Sequence, residues 1–255
     1  MKSLRLLLCA ACLLAVAGAA PGRAEESEFM EYDVTWIGVS VATMEIRSGT
    51  NETGHLVRSL RIGNRPWIAM IYPVSTFVEC EIEATGQGPL HTIRKKVSEP
   101  GFTQDDVLML WPDQGRAFWQ IAGHRVRKSL VPVGSRDLVT FFFDLRDVLA
   151  GSPLAAGGNY QLVMDGAIHD LEIAIGQPKT IRTAFGRLEA VPVTAVSKSP
   201  TLFSRNRPKS VWVATAKPAV LSADVETRFG PVRATLVKWT LNGAPVSPES
   251  GSATR

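Results

Sequence analysis

The chain has almost nothing to cross-link itself with. Of its three cysteines, Cys9 and Cys12 lie in an N-terminal apolar run, so Cys80 alone belongs to the body of the chain. An intramolecular disulfide there is excluded. Charge is also scarce, at 20% of 255 residues against 45% hydrophobic, a balance that rules out a disordered or fibrous chain. Past residue 20 no apolar run is long enough to span a membrane as a helix, which takes about 20 residues. A Gly-x-Ser-x-Gly elbow, a P-loop and a dinucleotide fingerprint are all missing, so no catalytic constellation and no cofactor are read from the sequence. The four histidines, His55, His91, His124 and His169, do not pair at metal-ligand spacing, and no metal is expected. His169 reads as an exposed strand histidine. Cys80 alternates within Phe77–Ile82 and reads as a small buried hydrophobe, with no histidine near it in sequence to make it a catalytic thiol.

The start of the chain reads as an export signal. Lys2 and Arg5 precede the apolar residues 6–20, and Gly22-Arg23-Ala24 places small residues at the two positions a signal peptidase checks. Cleavage after Ala24 and a periplasmic location are expected, with residues 1–24 as signal peptide and no membrane span afterwards. Cys9 and Cys12 sit inside the apolar run, not just after it, which disfavours a lipoprotein. Cleavage removes Lys2, Arg5 and Arg23 and no acidic residue, so 25 basic residues face 24 acidic ones and the net charge falls from +4 to +1. A nucleic-acid partner is therefore not expected.

The rest reads as one β-rich domain over 25–241, followed by a Gly-, Pro- and Ser-rich tail over 242–255 that is expected to be disordered. Short alternating runs recur between Gly, Pro, Asn and Asp punctuation. Tyr32–Trp36 and Val39–Arg47 suggest a hairpin turning at Ile37-Gly38, and Asp165-Gly166 suggests another. This pattern predicts a mainly β protein built on a single curved sheet, barrel-like or half-barrel. Residues 135–150 break it. Leu138, Phe141, Phe142, Leu145, Val148 and Leu149 form one stripe at helical spacing, with Ser135 as N-cap, Asp137 in the first turn and Gly151 as the stop. Thr140, Asp144 and Asp147 fall on the opposite face, toward water, and Arg146 flanks the stripe. So apolar a helix must lie on, or plug, the sheet. The segment 65–73 is bounded by Pro66 and Pro73 and crowds Trp67, Ile68, Met70, Ile71 and Tyr72 together. It reads as a loop folded over the end of the core, the alternative being the lip of a hydrophobic mouth. Glu79, Glu81 and Glu83 share one strand face, where Arg94, Lys95 and Lys96 can partner them; an acid site or calcium patch is the other reading.

Four stretches together resemble the bacterial exported proteins of domain-of-unknown-function family 3108: Tyr32–Ala42, Ile71–Val74 running into an acidic strand, Asp137–Thr140 with Phe142 and Arg146, and Val211–Val213 followed by Gly230–Val232. The resemblance implies a secreted or periplasmic, barrel-like or half-barrel protein and transfers no activity. Thr215-Ala216-Lys217-Pro218 stands where the family often has an aspartate and a basic residue. The implied shape is similar to periplasmic lipoprotein carriers, which cup acyl chains in a curved sheet lidded by helices. A non-enzymatic binder of an apolar or amphiphilic envelope component is the leading expectation, with Arg146, Asp137, Trp67 and Tyr72 as candidate ligand contacts. An accessory protein that binds another envelope protein is the alternative, and an envelope-polymer hydrolase ranks third.

Overall fold

The computed structural model describes residues 27–122, 126–151, 155, 157–197, 206–227 and 230–247. The residues expected to form a signal peptide, His124 and the tail beyond Ser247 lie outside them. Among these residues sixteen strands form one antiparallel sheet. The N-terminal set is β1 (Glu28–Trp36), β2 (Val39–Thr50), β3 (Leu56–Asn64), β4 (Ser75–Thr85), β5 (Gly88–Glu99), β6 (Phe102–Trp111), β7 (Arg116–Ile121) and β8 (Arg127–Leu130). The C-terminal set is β9 (Gly158–Met164), β10 (Ala167–Ile175), β11 (Lys179–Thr183), β12 (Gly186–Ser197), β13 (Asn206–Ala214), β14 (Val220–Thr227), β15 (Gly230–Leu241) and β16 (Ala244–Pro245). The spatial order is β8-β7-β6-β5-β4-β3-β2-β1-β15-β14-β13-β12-β10-β9, with β11 on β12 and β16 on β15. The first strand therefore joins the two sets in the middle, and β8 and β9 are left as edges. The mainly β, curved-sheet expectation holds; the short edge β8 was not expected.

Turn chemistry sets the registers. Ile37 and Gly38 have φ of 49° and 82°, and Asp165 and Gly166 have 52° and 73°. Both central positions are left-handed in each turn, which suits the right-handed twist of a two-residue hairpin. The tail differs from expectation in its first six residues: Asn242-Gly243 makes a third such turn, β16 returns along β15, and the Val246 amide donates to the Trp239 carbonyl. Backbone hydrogen bonding to β15 holds what composition marked as loose.

Strand alternation sends one row of side chains inward. Val78 and Cys80 on β4, His91 and Ile93 on β5, Leu108 and Leu110 on β6, and Ala117 and Trp119 on β7 are buried. Glu79, Glu81 and Glu83 point outward, where Arg94 lies directly opposite Glu79 and makes long ion pairs to it and to Glu81, at 3.5 and 3.6 Å. His55 takes Glu81 at 2.9 Å, so Glu79 and Glu81 are partnered on the outer face, while Lys95 and Lys96 depart from expectation and pair with Asp165 and Asp105. His169 departs from expectation: it faces inward from β10 and is buried, with its Nδ1 unpartnered.

A short helix α1 (Pro66–Ala69) lies between β3 and β4, and a nine-residue helix α2 (Leu138–Arg146) fills the hollow of the sheet. It packs against β3, β4 and β9. Its bounds are shorter than the stripe predicted, for a physical reason. Ser135 spends its hydroxyl on the Pro132 carbonyl, and Arg136 exchanges backbone hydrogen bonds with Gln161 and Val163 on β9. Residues 135–136 are thereby held out of the helix, and Asp137 becomes the N-cap. After Arg146 the chain tightens into a single 3-10 turn, Val148–Ala150, and stops at Gly151 with φ of 89°. Both faces of α2 are covered. Phe143, outside the expected stripe, is 1% exposed, and Thr140, expected toward water, is 5% exposed. Leu138 and Phe142 are only half-buried, and Leu149 is 44% exposed. The interior is thus filled, by α2 together with Tyr32, Met30, Leu110 and Trp239.

Replacing Phe143 with alanine should therefore cost about 3–5 kcal/mol of unfolding free energy in urea titrations, and Leu149→Ala about 0.5 kcal/mol or less. Equal losses would mean that α2 does not plug the sheet.

Candidate functional site

Three groups of residues are arranged in ways that can carry function. The first lies beneath the start of α2. Oδ1 of Asp137 accepts the Val139 and Thr140 amides, both at 2.9 Å, and caps the helix. Oδ2 accepts from Thr140 Oγ1 at 2.6 Å, from His91 Nδ1 at 3.0 Å and from the Cys80 thiol at 3.6 Å. Burial opposes the charge on Asp137, but His91 and the Thr140 bonds outweigh it and hold the carboxyl below its ordinary range. Burial, reinforced by the Asp137 charge, pushes the Cys80 thiol well up. The thiol here is a hydrogen-bond donor, not a ready nucleophile. Cys80 Sγ, His91 Nδ1 and a carboxylate oxygen of Asp137 all lie within 4.8 Å of one another. Sequence spacing suggested no histidine beside Cys80. The β4–β5 register supplies it, because the turn at Gly86-Gln87 sets His91 opposite Ile82, one diagonal step from Cys80.

The cluster borders a narrow crevice where the two halves of the sheet face each other. Asp137 and Leu138 meet Lys95 and Asp106 on one side and Val163, Met164 and Asp165 on the other. Its volume of about 40 Å³ holds about three waters at ~10–15 Å³ each. An acyl chain does not fit there. Lys95 bridges the crevice to Asp165, and Asp106 leaves Oδ1 without a partner.

The second group is at the far end of α2. Arg146 is bound by Asp147, with Nε–Oδ1 at 2.7 Å and a second bond at 2.8 Å, and by Glu28. Burial alone would lower its pKa; Asp147 and Glu28 raise it instead. Its guanidinium lies 4.8 Å from the Phe143 ring, and that of Arg58 lies 4.2 Å from the same ring. Asp137 and Arg146 thus stand at opposite ends of the helix, each with its own partners.

The third group is the rim where β1 ends and β4 begins. The hairpin tip exposes Trp36, Ile37 and Val39, and the β3–β4 connection exposes Trp67 (46%), Met70 (83%), Ile71 (79%) and Tyr72 (49%). The expected loop folded over the core is therefore not what forms. Pro66 starts the single turn of α1, and these side chains stand exposed on the outside of the sheet's end. The two connections are neighbours. The Arg65 amide donates to the Val41 carbonyl, and its guanidinium reaches Asp33 at 2.8 Å and Ser40 at 3.1 Å. Burial would raise the Asp33 carboxyl, but the bonds from Ser40 and Arg65 hold it below its ordinary range. Of the residues singled out in the sequence, Trp67 and Tyr72 come together on this rim, and Asp137 and Arg146 lie elsewhere. Trp36, Ile37 and Met70 join the rim without having been singled out as ligand contacts; the hairpin turn beside Trp36 was the available signal.

The sequence model of a family described as protein of unknown function (DUF3108) matches residues 31–237. No curated protein matches the chain. A solved structure from Brucella abortus, a beta-barrel-like protein of domain of unknown function DUF1849, is similar at 12% identity and a TM-score of 0.57, covering 84% of this chain and 97% of the other. That likeness is one of fold.

Because the Asp33 carboxyl titrates below its unfolded value, its tie to Arg65 contributes fully above about pH 4 and is lost as pH falls below that. Asp33→Asn should lower the protection of the Ile71 and Tyr72 amides against hydrogen exchange at neutral pH, and the wild type should lose the same protection as pH falls below about 4. Arg146→Lys loses the two-pronged contact with Asp147 and should lower Tm by about 2–4 °C, the equivalent of ~1 kcal/mol in a chain this long.

Proposed function

This chain belongs to the DUF3108 family, and on that footing we propose that it is a non-enzymatic periplasmic protein that docks on an amphiphilic component of the envelope through its apolar rim. The carrying observation is the exposure of seven large apolar side chains on two adjacent connections. A folded protein covers such a patch unless something else does. The composition supports an amphiphilic surface, since Trp and Tyr have an apolar body and a polar edge suited to the headgroup–acyl boundary. The Asp33–Ser40–Arg65 tie supports it too, because a pre-positioned lip loses little freedom on docking. A ligand swallowed whole in the sheet is disfavoured by the filled interior and the size of the crevice. Among the described residues, no helix is long and apolar enough to cross a membrane.

Vesicles of phosphatidylethanolamine and phosphatidylglycerol provide the test. Burying Met70 and Ile71 is worth about 1.5–3 kcal/mol each, so Met70→Asp with Ile71→Asp should weaken co-sedimentation by more than tenfold. Both side chains are exposed, so Tm should not change. Vesicle binding that survives the double substitution overturns the reading. Loss of binding to whole envelope fractions, with no binding of either protein to vesicles, favours docking on an envelope protein instead.

A further inference from the structure

A second site lies away from the rim and does not depend on it. We propose that Cys80, His91 and Asp137 form a binding site for one divalent transition-metal ion of the zinc class. The three donors come from β4, β5 and the start of α2, and their ligand atoms fall within 4.8 Å of one another. A tetrahedral zinc ion with bonds of about 2.0–2.3 Å to S, N and O needs donor–donor edges of roughly 3.3–3.6 Å. The Sγ–Oδ2 separation is 3.6 Å and the Nδ1–Oδ2 separation 3.0 Å, and Sγ and Nδ1 lie within 4.8 Å, so side-chain rotation must bring that third edge to the tetrahedral length.

The surroundings fit a metal site in three further ways. First, Asp137 is already oriented: its other oxygen is held by two backbone amides of α2. Such outer contacts are what keep a ligating carboxylate in place. Second, the charges balance. A divalent ion with one thiolate, one carboxylate and one neutral imidazole is neutral overall, which a buried pocket tolerates where a bare cation is not. Third, Asp137 lines the crevice, which gives an ion a route in and a water room for the fourth position. Thr140 Oγ1, 2.6 Å from Oδ2 and 3.4 Å from Nδ1, is placed to bond that water. Binding releases the thiol proton of Cys80 to solvent, and the neutral His91 ring shifts its proton from Nδ1 to Nε2 so that Nδ1 can face the ion. No oxidation or reduction is involved. A mixed sulfur, nitrogen and oxygen set suits zinc or cobalt(II) over magnesium or calcium.

The competing arrangement is the hydrogen-bonded cluster alone, in which the thiol, the imidazole and Thr140 do no more than satisfy Asp137. Cobalt(II) titration of the reduced, metal-free, full-length protein separates the two. The metal site requires one equivalent of cobalt, a thiolate-to-cobalt charge-transfer band in the near ultraviolet, bleaching of that band by zinc, and release of protons into weak buffer. Cys80→Ser keeps a donor for Asp137 but not the soft ligand. It should lose the band and bind at least about tenfold more weakly, with the circular dichroism of the wild type. Wild-type protein that takes up no stoichiometric cobalt, or takes it up without the band, overturns the proposal. Should Cys80→Ser fail to fold, the wild-type spectrum and its bleaching by zinc still decide.

Discussion

The Asp137 carboxylate is the point on which the rest of the structure turns. A buried carboxylate is tolerable only when its lone pairs are filled. Here five donors fill them: two backbone amides of α2, the Thr140 hydroxyl, the His91 ring and the Cys80 thiol. The amides fix where the helix begins. The ring and thiol fix which strands it begins against. One side chain therefore joins local helix chemistry to the β4–β5 register, and it places α2 inside the sheet at a set height and rotation.

That placement answers a problem of the sheet itself. Its ends do not meet, and an open sheet leaves backbone donors and acceptors along its edges. One edge, β8, has only four residues. The other, β9, is covered where Arg136 exchanges backbone bonds with Gln161 and Val163. Those bonds belong to the segment that delivers Asp137, so edge protection and helix placement are one arrangement. Across the remaining gap Lys95 reaches Asp165, and the hollow is closed by Phe143 and its neighbours, not by hydrogen bonding. The beta-barrel-like protein from Brucella abortus has a similar fold at 12% identity.

The apolar rim is separated from this interior. Among the described residues the polar groups inside are nearly all occupied by one another, whereas the apolar side chains of the rim stand exposed. Arg146 illustrates the first half. A guanidinium beside a buried stripe must find an acceptor, and Glu28 and Asp147 are both in reach. Trp67 and Tyr72 illustrate the second. Proline at each end of their segment prevents it from continuing a strand or collapsing onto the core, and Arg65 clamps its base.

Period-two alternation, hairpin glycines at left-handed positions and the absence of any other long apolar repeat were enough to read a curved β-sheet with one inserted helix. These signals are local, acting between residues one to four apart, and a single chain carries them openly. The family resemblance rested on the same short stretches. What tertiary structure alone decided is which residues meet. The helix begins at Asp137 and not Ser135 because β9, some 25 residues later in the chain, claims Arg136. Thr140 and Phe143 are buried because the sheet wraps both sides of α2, whereas a one-sided stripe assumes water on the other. His91 stands beside Cys80 only through strand register, which sequence spacing does not reveal. Burial, partner choice and the filling of the hollow depend on contacts far apart in the chain, and no local pattern encodes those.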